Sequence, residues 1–94
     1  MAVARVPLQM VDLTNSVGAD FLRIDSEVAL TFSGIALAAT DETTKTRTTL
    51  VALKAYNTIA RLRGNLELTV AERDKLDANL QRVKTELQSL GQIL

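Results

Sequence analysis

The most constraining feature of this 94-residue sequence is a segment at about 20–39 that is apolar on nearly every side when it is read as a helix. One stripe, at spacings of three and four, consists of Phe21, Ile24, Val28, Phe32, Ile35 and Ala39. A second stripe on the back consists of Leu22, Ala29, Leu30, Ser33 and Leu37. Because a helix apolar nearly all round is normally covered on more than one side, we expect the first stripe to face the core and the second to face a partner.

Two further helices are predicted downstream. The second, about 41–63, begins where Thr40 or Asp41 can cap it and ends at Gly64. Its predicted inward face consists of Thr48, Val51, Ala52, Ala55, Ile59 and Leu62. The third, about 69–91, opens with a capping box formed by Thr69 and Glu72. Its heptad seam consists of Leu76, Leu80, Val83, Leu87, Leu90 and Leu94.

These patterns predict an all-α fold: an antiparallel three-helix bundle, built as a hairpin plus a helix and completed by homodimerisation. Residues 1–18 are expected to form an irregular N-terminal arm because Pro7, Asn15, Ser16 and Gly18 interrupt them. Residues 19–94 are expected to form a single helical domain.

Composition excludes most catalytic chemistry. The sequence has no cysteine and no histidine, which removes disulfides, thiolate zinc sites, thiol nucleophiles and the usual general base. The best helical carboxylate pair, Asp74 with Asp77, is predicted to point away from the seam of the third helix. We therefore expect a protein that is not an enzyme, with no catalytic residue, no metal ligand and no cofactor.

Charge is unevenly distributed along a chain whose net charge is zero. Residues 1–42 hold six acids and two bases, whereas residues 43–66 hold five bases and no acid. If the first two helices form an antiparallel hairpin, their charges should pair across it, the acids being Asp20, Asp25 and Glu27 and the bases Lys54, Arg61 and Arg63.

The surplus leucines favour a non-catalytic protein–protein interaction or assembly module. The predicted interface consists of Leu22, Leu30, Leu37, Leu50 and Leu53. A contiguous apolar patch of this kind usually marks a partner surface, and a homodimer is the favoured occupant. The alternative is that the N-terminal arm folds back over the patch through its own apolar residues.

A second functional class is a nucleic-acid binder. Arg47, Lys54 and Arg61 repeat every seven residues and could follow a phosphate backbone. This class is less favoured because the stripe has no aromatic side chains for stacking and the chain carries no net positive charge.

No membrane association is expected. The longest uncharged internal stretch, residues 28–40, falls short of the about 20 residues that span a bilayer. The N-terminal apolar run is too short and too interrupted for a signal peptide, so the expected location is cytoplasmic.

Several stretches resemble a group of short bacterial helical proteins with no assigned activity. They are Ala55–Ile59, Arg61–Arg63, Leu68–Glu72 and Leu80–Gly91. The resemblance implies an all-α fold over about residues 20–92 and a bacterial source, and it transfers no functional residue.

Overall fold

The computed structural model describes the backbone of residues 8–94 and the side chains of residues 17–94. The described backbone contains three helices, α1 (Leu8–Ala38), α2 (Glu42–Leu62) and α3 (Val70–Ser89), and no strand. A short 3-10 turn, Arg63–Asn65, follows α2. The prediction of an all-α three-helix bundle is confirmed.

α1 starts earlier than the sequence predicted. Residues 8–18, assigned above to an irregular arm, continue the helix without a break, so they do not fold back over the bundle. Gly18 does not break the helix. It allows Leu66 to pack closely against α1, because a Cβ at this position would lie 2.8 Å from both Cδ atoms of Leu66. The missing side chain therefore lets the α2–α3 connection rest directly on α1. The rest of the predicted arm, residues 1–7, lies outside the described residues.

Local signals set the other helix boundaries. The Asp41 carboxylate accepts a hydrogen bond from the Thr44 amide at 2.8 Å and caps α2. Thr69 and Glu72 form the predicted capping box of α3, with hydrogen bonds of 3.1 and 2.8 Å. At the other end of α3, Gly91 has φ 91°. This conformation allows the backbone N–H of Gln92 to donate a hydrogen bond to the carbonyl of Leu87 at 3.0 Å. This is a Schellman ending, which favours glycine because of its positive φ.

The three helices run up, down and up around a core with two layers. One layer consists of Leu22, Ile59, Leu76 and Leu80. The other consists of Ala29, Ala52, Ala55, Val83 and Leu87. The predicted seam of α3 supplies large side chains to both layers. α1 and α2 add Leu22 and Ile59 to the first layer but only alanines to the second. The small side chains allow the backbones of α1 and α2 to approach closely.

The buried face of α1 is the opposite of the one predicted. It consists of Ala19, Leu22, Ser26, Ala29, Ser33 and Ala36. The stripe predicted to face the core is instead half exposed at Phe21 and Ile24. The small residues of this face meet small inward residues of α2, Ala52 and Ala55, and the match lets the two helices pack closely.

Two serines in this face are satisfied by hydrogen bonds to their own helix and to α3. The Ser26 hydroxyl donates to the Arg23 carbonyl at 2.7 Å and accepts from the Asn79 amide at 3.0 Å. Ser33 lies 3.1 Å from the Leu30 carbonyl and also bonds to the carboxylate of Glu86. Both cross-helix pairs join residues 53 positions apart, so they fix one register between α1 and α3.

Candidate interaction surface

An apolar row runs along the side of α1 that faces away from the core. It consists of five apolar residues and one threonine, Val17, Phe21, Ile24, Val28, Thr31 and Ile35, and we call it the outer seam. Val17 is 61% exposed, Phe21 50%, Ile24 52% and Ile35 42%. At 100° per residue these positions lie on the side of the helix opposite Ser26, Ala29 and Ser33. α1 therefore carries one apolar face inside the bundle and another in solvent.

The leucines predicted to form the interface do not make one exposed patch. Leu22 is a core residue, only 1% exposed, because it packs in the layer with Ile59 and the leucines of α3. Leu30 and Leu53 pack against the layer that contains Val83 and Leu87. These three side chains form part of the surface against which α3 packs. The apolar pattern of α1 and α2 alone does not reveal this contact.

The other two predicted interface leucines are exposed, Leu37 at 46% and Leu50 at 56%. They lie on different helices, and Leu50 lies on the outward face of α2 among polar and basic side chains. Each is a single exposed leucine, which is ordinary on a protein surface.

The residues of the predicted basic stripe lie at the surface of α2. Arg47, Lys54 and Arg61 are all exposed, and their spacing of seven residues places them on one side of the helix. Among residues 17–94, none of the three takes part in an ion pair.

The charge pairing predicted across the α1–α2 hairpin is wrong for the described side chains. Arg23 pairs with two acids of its own helix, lying 3.9 Å from Asp20 and 3.4 Å from Glu27. Arg63 pairs with Asp77 of α3 instead of with α1. Among residues 17–94, no acid of α1 forms an ion pair with the basic stripe of α2.

Two carboxylates have perturbed acidities. Partial burial without a cationic partner raises the pKa of Asp25 above its ordinary value. The hydrogen bond from the Thr44 amide lowers the pKa of Asp41, which suits its role as the cap of α2.

A groove of about 220 Å³ lies between α1 and the first turns of α3. Asp20 and Arg23 line it from one side, and Glu72 and Lys75 from the other. Its charges are mixed, so it has no net preference for an anionic or a cationic ligand. The described residues contain no group of three or more potential metal ligands, and Asp74 is exposed while Asp77 is engaged by Arg63.

The bundle with its two-faced α1 defines the class of the protein as a small helical bundle. No family model, no curated protein and no solved structure matches this chain. Within the described residues, no helix combines the length and apolar character needed to cross a lipid bilayer.

Four residues of the outer seam belong to the stripe that was predicted to face the core: Phe21, Ile24, Val28 and Ile35. The signal that could have corrected this is size: the stripe with Ser26, Ala29, Ser33 and Ala36 matches the small inward residues of α2. Apolar periodicity alone cannot rank two stripes on one helix, because both satisfy the same spacing.

Proposed function

We propose that this protein is a non-catalytic assembly module that self-associates by packing its outer seam against a helix of a second copy. The observation that carries the proposal is the exposure of bulky apolar side chains at coiled-coil spacing along α1. Water is a poor solvent for such a row, and covering it is favourable by about 25 cal/mol for each Å² of apolar area. The absence of histidine and cysteine from the sequence supports a non-catalytic role.

A matched pair of substitutions tests this proposal. Ile24→Glu places a charge in the outer seam, and Leu50→Glu places the same charge at a similarly exposed leucine of α2. We expect Ile24→Glu to abolish the association measured by sedimentation equilibrium at micromolar concentration, and Leu50→Glu to leave it unchanged. Circular dichroism checks that both variants keep their helices.

Two results would contradict the proposal. One is an unmodified protein that sediments as a monomer up to about 100 μM, since specific complexes commonly form well below this concentration. The other is loss of association in Leu50→Glu but not in Ile24→Glu, which would move the interface to the outward face of α2.

A nucleic-acid-binding role is the second candidate, supported by the exposed basic stripe of α2. Three phosphate contacts would give a shallow dependence of log affinity on log salt, with a slope of about −3. Titration of labelled duplex DNA and single-stranded RNA at low salt tests this candidate, with Arg47→Ala/Lys54→Ala/Arg61→Ala as the control variant. A flat titration of the unmodified protein eliminates it.

A further inference from the structure

The spacing of the outer seam limits what can cover it. Positions 17, 21, 24, 28, 31 and 35 alternate steps of four and three, which is the repeat that keeps one helix against another along their length. The buried face of α1 follows the same repeat at positions 19, 22, 26, 29, 33 and 36. α1 therefore has the pattern of a helix that is covered on two opposite sides. Within a single bundle, α2 and α3 cover only one of these sides.

The charges beside the outer seam are confined to one half of it. Asp20, Arg23, Asp25 and Glu27 lie in its N-terminal half, and residues 28–38 carry no charge at all. The charged half has a net charge of −2, so two copies placed side by side in the same direction would bring like charges together. An antiparallel pair instead sets each charged half against the uncharged half of the other copy, which avoids this repulsion.

The side chains select a register for the antiparallel pair. With Ile24 opposite Ile35 of the second copy, Val28 lies opposite Thr31, and Phe21 lies opposite Ala38. Ile24 of each copy then contacts Ile35 of the other, and the large ring of Phe21 lies against the small side chain of Ala38. In this register, Asp20, Asp25 and Glu27 all face uncharged positions.

We infer that the occupant of the outer seam is a second copy of this chain, with the two α1 helices antiparallel and Ile24 of each copy against Ile35 of the other. This inference rests on the proposed function and adds which helix of the second copy is contacted, its direction and its register.

Disulfide trapping tests the geometry cleanly because the native sequence contains no cysteine. Ile24→Cys and Ile35→Cys are made separately, one with an affinity tag, and are mixed and oxidised. We expect a disulfide between the two different variants and none within either variant alone. Two copies of residue 24 would be eleven residues apart along the pair, about 16 Å, which exceeds the reach of a disulfide.

A second pair, Phe21→Cys with Ala38→Cys, repeats the test if either first variant no longer associates when reduced. Leu50→Cys mixed with Ile24→Cys is the matched control and should give no disulfide. Its cross-linking would show that α1 docks on the basic face of α2, which overturns the inference.

Self-cross-linking of Ile24→Cys would show a parallel pair and overturn the inference while leaving the proposed function standing. A dimer in which neither mixed pair cross-links would also overturn the inference and leave the proposed function standing. A protein that stays monomeric in sedimentation overturns the inference and the proposed function together.

Discussion

At the scale of single residues, three glycines differ in backbone conformation and in how closely other atoms approach them. Gly91 adopts a positive φ that ends α3, and Gly18 makes room for Leu66 against α1. A Cβ at Gly34 would meet no atom within 4 Å on the exposed side of α1. These environments predict opposite effects of the same substitution.

Gly91→Ala is expected to lower the free energy of unfolding by about 1–2 kcal/mol, because an alanine is strained at this φ. Gly34→Ala is the matched control and is expected to raise it by up to about 1 kcal/mol, since alanine favours a helix interior more than glycine does. Urea denaturation followed by circular dichroism measures both. Equal effects of the two changes would show that the Schellman ending does not constrain Gly91 in solution.

At the scale of the helices, the main result is that α1 buries its face of small residues and exposes its bulky one. Ser26 and Ser33 are tolerated in the core because hydrogen bonds to α1 carbonyls and to α3 satisfy them. The positions of α2 and α3, the capping box and the buried part of the α3 seam were predicted correctly because each depends on residues within a few positions of one another. The face of α1 that is buried was not predicted correctly, because it depends on side chains of α2 and α3.

Ser26→Leu tests this orientation. A leucine there must fit between α1 and α3 where the Asn79 amide now lies, so we expect a loss of about 1–3 kcal/mol in the free energy of unfolding from overpacking. Thr31→Leu, on the outer seam of the same helix, makes the same kind of change and is expected to leave the stability of the monomer nearly unchanged. If the bulky stripe faced the core instead, the two results would be exchanged.

At the scale of the whole molecule, the outer seam and the basic stripe are two surfaces with different physical requirements. Covering the outer seam is driven by burial of apolar area, which salt does not weaken. Binding through the basic stripe is electrostatic and is screened as salt rises. Ionic strength therefore separates the two proposed roles.

The thermal midpoint of the protein is expected to rise with protein concentration, because association stabilises only the folded chain. It should do so equally at about 50 mM and about 500 mM sodium chloride, where the Debye length has fallen severalfold. Differential scanning calorimetry over a hundredfold concentration range measures this. A concentration dependence that disappears at high salt would instead indicate association through the basic stripe.

The sequence by itself determined that the chain is all-α, placed α2 and α3 to within about two residues, and identified the exposed basic stripe. These features depend on helical periodicity and on caps, which are local. Tertiary structure alone decided that Gly18 lies inside a helix, that Leu22 belongs to the core and that Phe21 and Ile24 face solvent. The reason is that each outcome depends on how closely a distant segment approaches: Leu66 at Gly18, and α2 with its small inward residues at the buried face of α1.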